Sequence, residues 1–306
     1  MQAALFATVA LSWGLTWYAI RLQLGPTPDV VAIFWRFLIS AALLWPVLLA
    51  FGQARRARVR QHRWFALMGL CLFSGNFMMI YGSEHDVPSG LVSVVFCMST
   101  VFNAFNMWIF EGVRPGRRVL LGSALGVAGV ALLFAEQILQ AGLFGAAGGS
   151  AATLRGVGLA LGGTYAFSLG NLVSRHATAD GTSLPNAFVR AMSWGVVFLG
   201  LATLAAGHGF AAPLTPSWTG ALAYLVLIGT LAGFGAYLSL VARIGPARAA
   251  YVTVVSPLIA LTLSSLLEGY AWSVSAMLGV PLILLGNLVI FAPVRPAASP
   301  APAARR

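Results

Sequence analysis

Neutral polar and aromatic side chains recur at helical spacing within the long apolar runs of this sequence. Ser99, Asn103 and Asn106 follow one another at i, i+4 and i+7, which places them on one face of a helix. Amide and hydroxyl groups supply hydrogen-bond donors and acceptors, while aromatic rings stack on apolar groups or face an ammonium group. This combination indicates recognition of a small amphipathic molecule.

Six apolar segments carry such residues, and together they give a candidate lining for a binding cavity. It consists of Trp13, Thr16, Trp17, Asn76, Tyr81, Ser99, Asn103, Tyr165, Ser168, Phe234, Tyr237 and Ser256. Pro257 directly follows and is the candidate hinge, because proline removes a backbone N–H and bends a helix. The alternative interpretation of the hydroxyl and amide groups is that they only join neighbouring helices.

The sequence contains no constellation suited to catalysis or metal binding. A catalytic site gathers acids, bases or nucleophiles at one depth, whereas the seven acidic residues and four histidines lie near the ends of apolar runs. Cys71 and Cys97 lie within such runs without a metal-ligand spacing, which is typical of packing residues. We expect no catalytic residue, no metal site and no cofactor.

Several charged residues near or within the apolar runs allow more than one interpretation. Glu84, His85 and Asp86 are expected to lie in a solvated loop, with gating or coupling as the alternative. Arg36 and Arg190 lie inside apolar runs, where long basic side chains reach towards the interface or pair with acids or carbonyl groups. A contact with a substrate carboxylate is the second interpretation of these two arginines.

The composition excludes a soluble protein. Of 306 residues, 59% are hydrophobic and 8% are charged, against about 25% charged residues in soluble domains. A folded domain of this size still exposes about a quarter of its unfolded surface, so the apolar solvent must be lipid and the chain an integral membrane protein. The formal net charge of +11 arises from arginine without lysine. Basic residues between apolar segments set membrane orientation, so this charge does not indicate nucleic-acid binding.

Ten apolar segments are long enough to cross a bilayer core of about 30 Å, which requires about 20 helical residues. They cover approximately residues 3–21, 29–51, 64–83, 89–110, 118–136, 155–176, 185–206, 218–242, 247–267 and 273–292. The predicted fold class is therefore an all-α integral membrane protein with ten transmembrane helices.

The arginines are distributed unevenly over the connections. With a cytoplasmic N-terminus, 14 of them lie in cytoplasmic connections or the C-terminal tail, and only Arg21 and Arg155 lie in connections on the opposite side. The largest cluster consists of Arg55, Arg56, Arg58, Arg60 and Arg63. Because cytoplasmic loops carry an excess of basic residues, both termini are predicted to be cytoplasmic.

Two residue spacings recur in the second half of the chain. Arg21 and Arg36 are 15 residues apart, as are Arg175 and Arg190, and an offset of 154 superposes the pairs. Steps of 11 and 7 occur at an offset of 157 in two further sets, Glu111, Gly122, Gly129 and Glu268, Gly279, Gly286. Each half holds five predicted helices, so tandem halves must be oppositely oriented. The pattern predicts two inverted five-helix repeats around a site near the midplane.

The predicted organisation follows from these repeats. Residues 1–140 form the first repeat, 141–152 a Gly/Ala/Ser linker and 153–293 the second repeat, and 294–306 form a disordered cytoplasmic tail rich in Ala and Pro. The glycine pairs of the last helix in each half are two turns apart on one face, which suits close helix packing.

Short motifs are distributed over both halves of the chain. The first half carries Ser12-Trp13-Gly14, Arg21, Leu24-Gly25-Pro26 and Trp35-Arg36-Phe37. The second half carries Arg243-Ile244-Gly245-Pro246-Ala247-Arg248-Ala249-Ala250, then Ser256-Pro257, Glu268, Gly279 and Gly286. With these motifs the chain resembles the drug/metabolite transporter superfamily in its ten-helix, EamA-type branch. The resemblance covers all ten segments, and members include bacterial exporters of amino acids, aromatic ones among them, and of other metabolites.

The fourth segment departs from the family pattern. Ser99 and Thr100 stand where Pro257 stands in the second half, and Glu111 is followed by Gly-Val-Arg-Pro rather than the usual pattern. The fourth helix is therefore expected to bend less than the ninth, or at a different place.

The resemblance implies a multi-pass transporter of the bacterial inner membrane that works by alternating access around a central cavity. Export of small amphipathic metabolites is expected, with aromatic or other neutral amino acids as the first candidates. The alternatives are a carrier for drugs, nucleotide sugars or other metabolites, and a channel or receptor. A membrane-embedded enzyme is disfavoured because no catalytic cluster is present.

The expected partners are a small-molecule substrate and the lipid bilayer, without nucleic acid, and the chain is expected to act as a monomer. No acid lies at a predicted midplane, where proton-coupled carriers usually keep a titratable group. The sequence therefore favours facilitated transport driven by the substrate gradient.

Overall fold

The structure, a computed structural model, describes residues 1–52, 57–144 and 149–291. All regular elements within these residues are helices. An apolar environment offers no hydrogen-bond partners to the backbone, and a helix satisfies its N–H and C=O groups internally.

Ten helical stretches, named α1 to α10 here, form the body of the chain. They are α1 Gln2–Arg21, α2 Asp29–Ala50, α3 Val59–Glu84, α4 Ser89–Glu111, α5 Arg117–Leu133, α6 Gly149–Ala177, α7 Leu184–Ala205, α8 Pro216–Ile244, α9 Val252–Leu267 and α10 Val274–Phe291. Two shorter helices, Ala135–Phe144 and Pro246–Ala249, follow α5 and α8.

Eight of these helices are long and apolar enough to cross a membrane, namely all except α5 and α9. Helix α9 is apolar but has only 16 residues, and α5 has 17. An all-helical chain with this many apolar helices has the architecture of a multi-span membrane protein.

Helices α3 and α8 share a local widening of the helix. Residues Gly69–Gly75 and Leu225–Ala232 have π-helical geometry, in which the hydrogen-bond ladder runs to the fifth preceding residue. In each segment a hydroxyl group donates to the carbonyl five residues earlier. Ser74 Oγ lies 3.1 Å from the Gly69 oxygen, and Thr230 Oγ1 lies 2.8 Å from the Leu225 oxygen.

Helix α4 is interrupted at Cys97–Met98, between the helical parts Ser89–Phe96 and Ser99–Glu111. At this point the N–H groups of Cys97 and Met98 donate to carbonyls three residues earlier. Helix α9, by contrast, continues through Pro257. Of the two expectations for the fourth helix, a smaller bend than in the ninth or a bend at a different place, the interruption at Cys97–Met98 fits the second.

Helices α5 and α10 pack closely because four glycines line their contact. A Cβ atom at Gly122 would lie 2.5 Å from the Gly286 carbonyl oxygen, and one at Gly129 would lie 2.8 Å from that of Gly279. The early glycine of one helix thus meets the late glycine of the other, so the helices are antiparallel. The close packing predicted from the glycine spacing is confirmed.

The other helices pack around the middle of the molecule. Helix α1 contacts α8 and α9, while α6 contacts α3 and α4. Helix α2 packs against α7, and the first part of α4 packs against α9. This arrangement brings α1, α3, α4, α8 and α9 to one central space.

Some of the predicted features lie outside the described residues. These are Arg55 and Arg56, residues 145–148 of the expected linker, and the expected tail 294–306. The flanking parts of the linker belong to the helices Ala135–Phe144 and Gly149–Ala177.

The α5–α10 contact predicts a cost for adding one methyl group. Gly286→Ala places its Cβ against the Gly122 backbone, so we expect about 1–3 kcal/mol of destabilisation and a lower melting temperature in detergent. Gly158→Ala is the matched control, because a Cβ at Gly158 meets open space. Equal melting temperatures for the two variants would contradict the close contact.

Candidate functional site

A cavity of about 180 Å³ lies between α1, α3, α4, α8 and α9, with one side chain each from α2 and α6. A site of about 150 Å³ already holds a molecule the size of benzene. The lining residues are Trp13, Thr16, Trp17, Ile20, Arg36, Asn76, Phe77, Ile80, Ser93, Phe96, Cys97, Ser99, Phe167, Gly229, Phe234, Thr253, Ser256 and Pro257.

The structure brings eight of the sequence-predicted residues together around this cavity. They are Trp13, Thr16, Trp17, Asn76, Ser99, Phe234, Ser256 and the candidate hinge Pro257. They come from five helices, and the helical spacing along each one turns them towards the same space.

Aromatic rings form two groups in the wall. In the first, the ring centroids of Trp17 and Phe96 are 5.3 Å apart, and those of Phe96 and Phe167 are 4.8 Å apart. In the second, Trp13 makes an edge contact with Phe234 at 5.7 Å. These distances are typical of favourable ring pairs, so the apolar walls hold one another in place.

Most hydroxyl protons in the wall are bonded to the protein backbone. Thr16 donates to the Ser12 carbonyl at 2.8 Å, Thr253 to that of Ala250 at 2.7 Å and Ser93 to that of Gly90 at 2.5 Å. A hydroxyl oxygen with its proton engaged still offers acceptor lone pairs. These three hydroxyl groups are therefore better suited to accepting hydrogen bonds than to donating them.

At Asn76 and Gly229, neighbouring helices approach each other closely in the cavity wall. The Asn76 amide donates to the Gly163 carbonyl at 3.3 Å, which fixes α3 against α6. A Cβ at Gly229 would lie 2.8 Å from Thr16 Oγ1. Glycine at this point of the π-helical segment thus lets α8 approach α1.

Arg36 is the single charged side chain in the described lining, which contains no acidic residue and no histidine. It is buried, with 3% of its surface exposed. Its Cζ atom lies 4.7 Å from the ring centroid of Phe77 and 5.3 Å from that of Phe37. The cavity therefore combines apolar walls with one positive charge.

Five predicted residues lie outside the lining. The Tyr237 ring contacts that of Trp13 in a tilted arrangement, with centroids 5.0 Å apart, and Tyr165 makes an edge contact with Phe102 at 5.4 Å. Tyr81 is buried and donates to Gln23 Oε1 at 2.8 Å. The remaining two residues are Asn103 and Ser168.

Asn103 and Ser168 belong to a polar seam between α4 and α6. Ser168 donates to Asn103 Oδ1 at 2.9 Å and accepts from Asn106 Nδ2 at 2.9 Å. Asn171 also reaches Asn103 Oδ1, at 3.5 Å. On each helix these residues do share one face, as their spacing predicted. The two faces meet at the contact between α4 and α6, however, and do not line the cavity.

The segment Glu84–Asp86 matches the solvated loop expected from the sequence only in part, because His85 is exposed but Glu84 is buried. Glu84 ends helix α3 and has no exposed surface, and its backbone carbonyl accepts a hydrogen bond from Arg21. His85 contacts Asp29 at 3.0 Å. A helix that continues to Glu84 carries this carboxylate into the packed interior, which the sequence pattern alone does not reveal.

Two ion pairs hold the ends of α6. Near its start, Arg155 makes two hydrogen bonds to the Asp86 carboxylate, at 2.9 and 2.8 Å. Near its end, Arg175 lies 2.6 Å from Glu111 Oε2, at the last residue of α4. Helix α6 is thus tied at both ends to the segments that flank α4.

Ten lining residues were not among the predicted lining residues, and most of them are apolar; for Arg36 a substrate contact was only the second interpretation. Ser93 and Cys97 lie at i and i+4 in the first part of α4, and Phe167 adjoins the predicted Ser168. Arg36 carried a detectable signal, since a charge inside an apolar helix is by default a candidate functional residue. Phenylalanine and isoleucine gave none, because apolar side chains face lipid and cavity alike.

Comparison with known proteins points to one family. The EamA-like transporter family model matches residues 1–135 and 154–292. Over 290 residues the chain is 28% identical to the inner membrane transporter YedA of Escherichia coli K12, covering 94% of this chain and 89% of that protein.

Two further relatives carry more specific names. The chain is 28% identical to a probable terminal-alkyne amino-acid exporter of Streptantibioticus cattleyicolor, covering 94% and 92% of the two chains. It is 25% identical to a probable amino-acid metabolite efflux pump of Salmonella typhimurium, covering 91% and 90%. A solved crystal structure has a similar fold, with a TM-score of 0.62 over 94% of this chain and 96% of that chain at 16% identity.

The polar seam predicts a stability effect for one hydroxyl. Ser168→Ala removes the partner of both Asn103 and Asn106, so we expect a loss of about 0.6–1.7 kcal/mol and a lower melting temperature in detergent. Ser174→Ala is the control on the same helix, because Ser174 Oγ donates only to its own helix at Asn171. Equal melting temperatures for the two variants would show that the seam does not contribute to stability.

Proposed function

Because the chain belongs to the EamA-like transporter family, we propose that this membrane transporter exports small amphipathic metabolites across the bacterial inner membrane. Neutral amino acids, aromatic ones included, are the first candidates for its substrate. The names of the amino-acid exporter and the amino-acid metabolite efflux pump support the substrate class and direction, and that of YedA supports the location. As a member of a transporter family, the chain is not an enzyme.

The observation that carries this proposal is the central cavity. Its volume of about 180 Å³ suits a small metabolite, and its rings, acceptor groups and single guanidinium suit a molecule with an apolar part and a polar end. We propose that the eight predicted residues in the lining contact the substrate. Tyr81, Asn103, Tyr165, Ser168 and Tyr237 are proposed to support the wall from behind.

Two inverted five-helix repeats are the proposed architecture, with all ten helices crossing the membrane and the halves at 1–140 and 153–293 joined by 141–152. The two stretches matched by the family model correspond to these halves. The π-helical segments support the same proposal, since Ser74 and Thr230 and their acceptors Gly69 and Leu225 are related by one offset of 156.

The glycine contact gives a second line of support for the repeat. At the offset of 157, Gly122 corresponds to Gly279 and Gly129 to Gly286. Gly122 contacts Gly286 while Gly129 contacts Gly279, so each residue meets the counterpart of the other. This reciprocity is the signature of a contact across a two-fold axis.

The proposed orientation places both termini in the cytoplasm, because most connecting arginines then lie on the cytoplasmic side. Transport would proceed by alternating access of the two halves around the cavity. The break at Cys97–Met98 and Pro257 are the proposed hinges, since both lie in the cavity wall at helix positions with weakened backbone hydrogen bonding. The transporter is proposed to act as a monomer.

The alternative substrates fit the cavity less well. A cationic drug would meet one arginine and no carboxylate in the described wall, and a nucleotide sugar is large for about 180 Å³. A channel would conduct its substrate without saturable binding at a central site. These differences favour a carrier for small neutral or zwitterionic molecules.

Counterflow in proteoliposomes tests the proposed transport. Vesicles loaded with unlabelled phenylalanine are expected to accumulate labelled phenylalanine transiently, which a channel does not do. Trp17→Leu removes an aromatic wall and should raise KM about two- to tenfold. Trp272→Leu is the matched control, because Trp272 lies outside the lining and bonds Ser265. Absence of counterflow for phenylalanine and other neutral amino acids would contradict the proposal.

The energy source is a separate prediction. The described cavity wall contains no acid or histidine, so we expect transport to follow the substrate gradient alone. Net uptake into vesicles at a fixed substrate gradient should therefore be unchanged when a protonophore is added. Collapse of this uptake would show that protons are coupled to transport.

A further inference from the structure

Arg36 places one positive charge in the wall of an otherwise neutral and aromatic cavity. We propose that Arg36 binds a carboxylate of the transported molecule, so that the substrate class is small carboxylates with an apolar side chain. This inference rests on the proposed function, since it assigns a recognition group to the same cavity.

The hydrogen-bonding state of Arg36 supports a ligand role. Its Nε and Nη1 atoms are buried and have no hydrogen-bond partner among the described residues. Tyr81 is a hydrogen-bond neighbour of the guanidinium, but leaving its other buried nitrogen atoms without partners is costly, and buried polar atoms are nearly always satisfied. A carboxylate in the cavity would supply two acceptor oxygens, which match the planar fork of the guanidinium.

The neighbouring acid does not already fill this role. Glu84 is within electrostatic range of Arg36 and also of Arg21, Asp29 and Glu268. However, both of its carboxylate oxygens are buried without a hydrogen-bond partner in the described structure, so no hydrogen-bonded pair with Arg36 forms. Glu84 is also absent from the cavity lining, whereas Arg36 is part of it.

The surroundings of Arg36 hold the guanidinium in place. The Phe77 and Phe37 rings, whose centroids are 4.8 Å apart, both lie within cation–π distance of its Cζ atom. The Tyr81 hydroxyl lies beside it and is itself held by Gln23. A fixed guanidinium loses less entropy when it binds a carboxylate than a mobile one would.

The cavity also offers a place for the apolar part of such a molecule. Trp13 and Ile20 both line it and are seven residues apart on α1, which corresponds to about 10 Å along the helix. The rings of Trp17, Phe96 and Phe167 also line the cavity, and each contacts at least one of the other two. A zwitterion or simple acid can therefore contact Arg36 with its carboxylate while its side chain packs on these rings.

Competition in the wild-type protein tests the charge preference directly. Phenylalanine counterflow is measured with 3-phenylpropionate, which lacks the amino group, and with phenethylamine, which lacks the carboxylate. We expect 3-phenylpropionate to inhibit at least about tenfold more strongly, as hydrogen bonds to charged groups imply. Equal inhibition, or stronger inhibition by phenethylamine, would overturn the role of Arg36.

Two matched variants assign the preference to one residue. Arg36→Gln is expected to abolish the difference between the two inhibitors, whereas Arg190→Gln should retain it, because Arg190 lies outside the cavity lining. The inhibitor ratio is taken within each variant, so it does not depend on how much active protein is made. An unchanged ratio in Arg36→Gln would assign the preference to another group and overturn the proposal.

A second measurement separates this inference from the proposed function. The purified wild-type protein is heated in detergent with either compound, and only 3-phenylpropionate is expected to raise the melting temperature. Such a shift without counterflow would support Arg36 while contradicting transport. Counterflow without preference for the acid would support transport and contradict the carboxylate site.

Discussion

The cost of an unsatisfied polar group in lipid is the constraint on which the rest of this structure depends. It requires every spanning segment to be helical. Where a helix departs from regular geometry, another group must take up the backbone hydrogen bonds that are lost. The hydroxyls of Ser74 and Thr230 are such groups, since each donates to a carbonyl in a π-helical segment. Both segments lie in helices that form the cavity wall, at Gly229 in one case and next to Asn76 in the other.

The helices could be predicted from the sequence because one property, the length of an apolar run, decides them. The expected ends of α1 and α2 differ from the observed ones by a single residue, Gln2–Arg21 against 3–21 and Asp29–Ala50 against 29–51. The glycine spacing likewise predicted close helix packing, because glycines two turns apart on one face leave a groove that a neighbouring helix can fill, but it did not predict that α5 and α10 fill each other's groove. Interruptions were harder to predict, and α4 breaks at Cys97–Met98 without proline or glycine.

The site was only partly predictable because helical spacing defines a face without saying what that face meets. Asn103 and Trp17 both lie on well-defined stripes, yet one faces the α4–α6 seam and the other faces the cavity. Apolar lining residues such as Phe96 carry no signal at all, since in lipid the outside of the protein is as apolar as the wall of its cavity. Glu84 shows the opposite error, where a charged residue at a helix end is buried rather than solvated.

The two arginines related by the proposed repeat show how one duplicated fold can form a single asymmetric site. Arg36 lines the cavity and lies over Phe77, whereas Arg190 lies over Trp45 at 5.2 Å and outside the lining. A strictly symmetric cavity would present two guanidinium groups and would suit a dianion. With Arg190 outside the lining, the cavity wall combines a single positive charge with aromatic rings. That asymmetry matches a molecule with one carboxylate and one apolar side chain. It arises because the two equivalent arginines have different neighbours, Phe77 for Arg36 and Trp45 for Arg190.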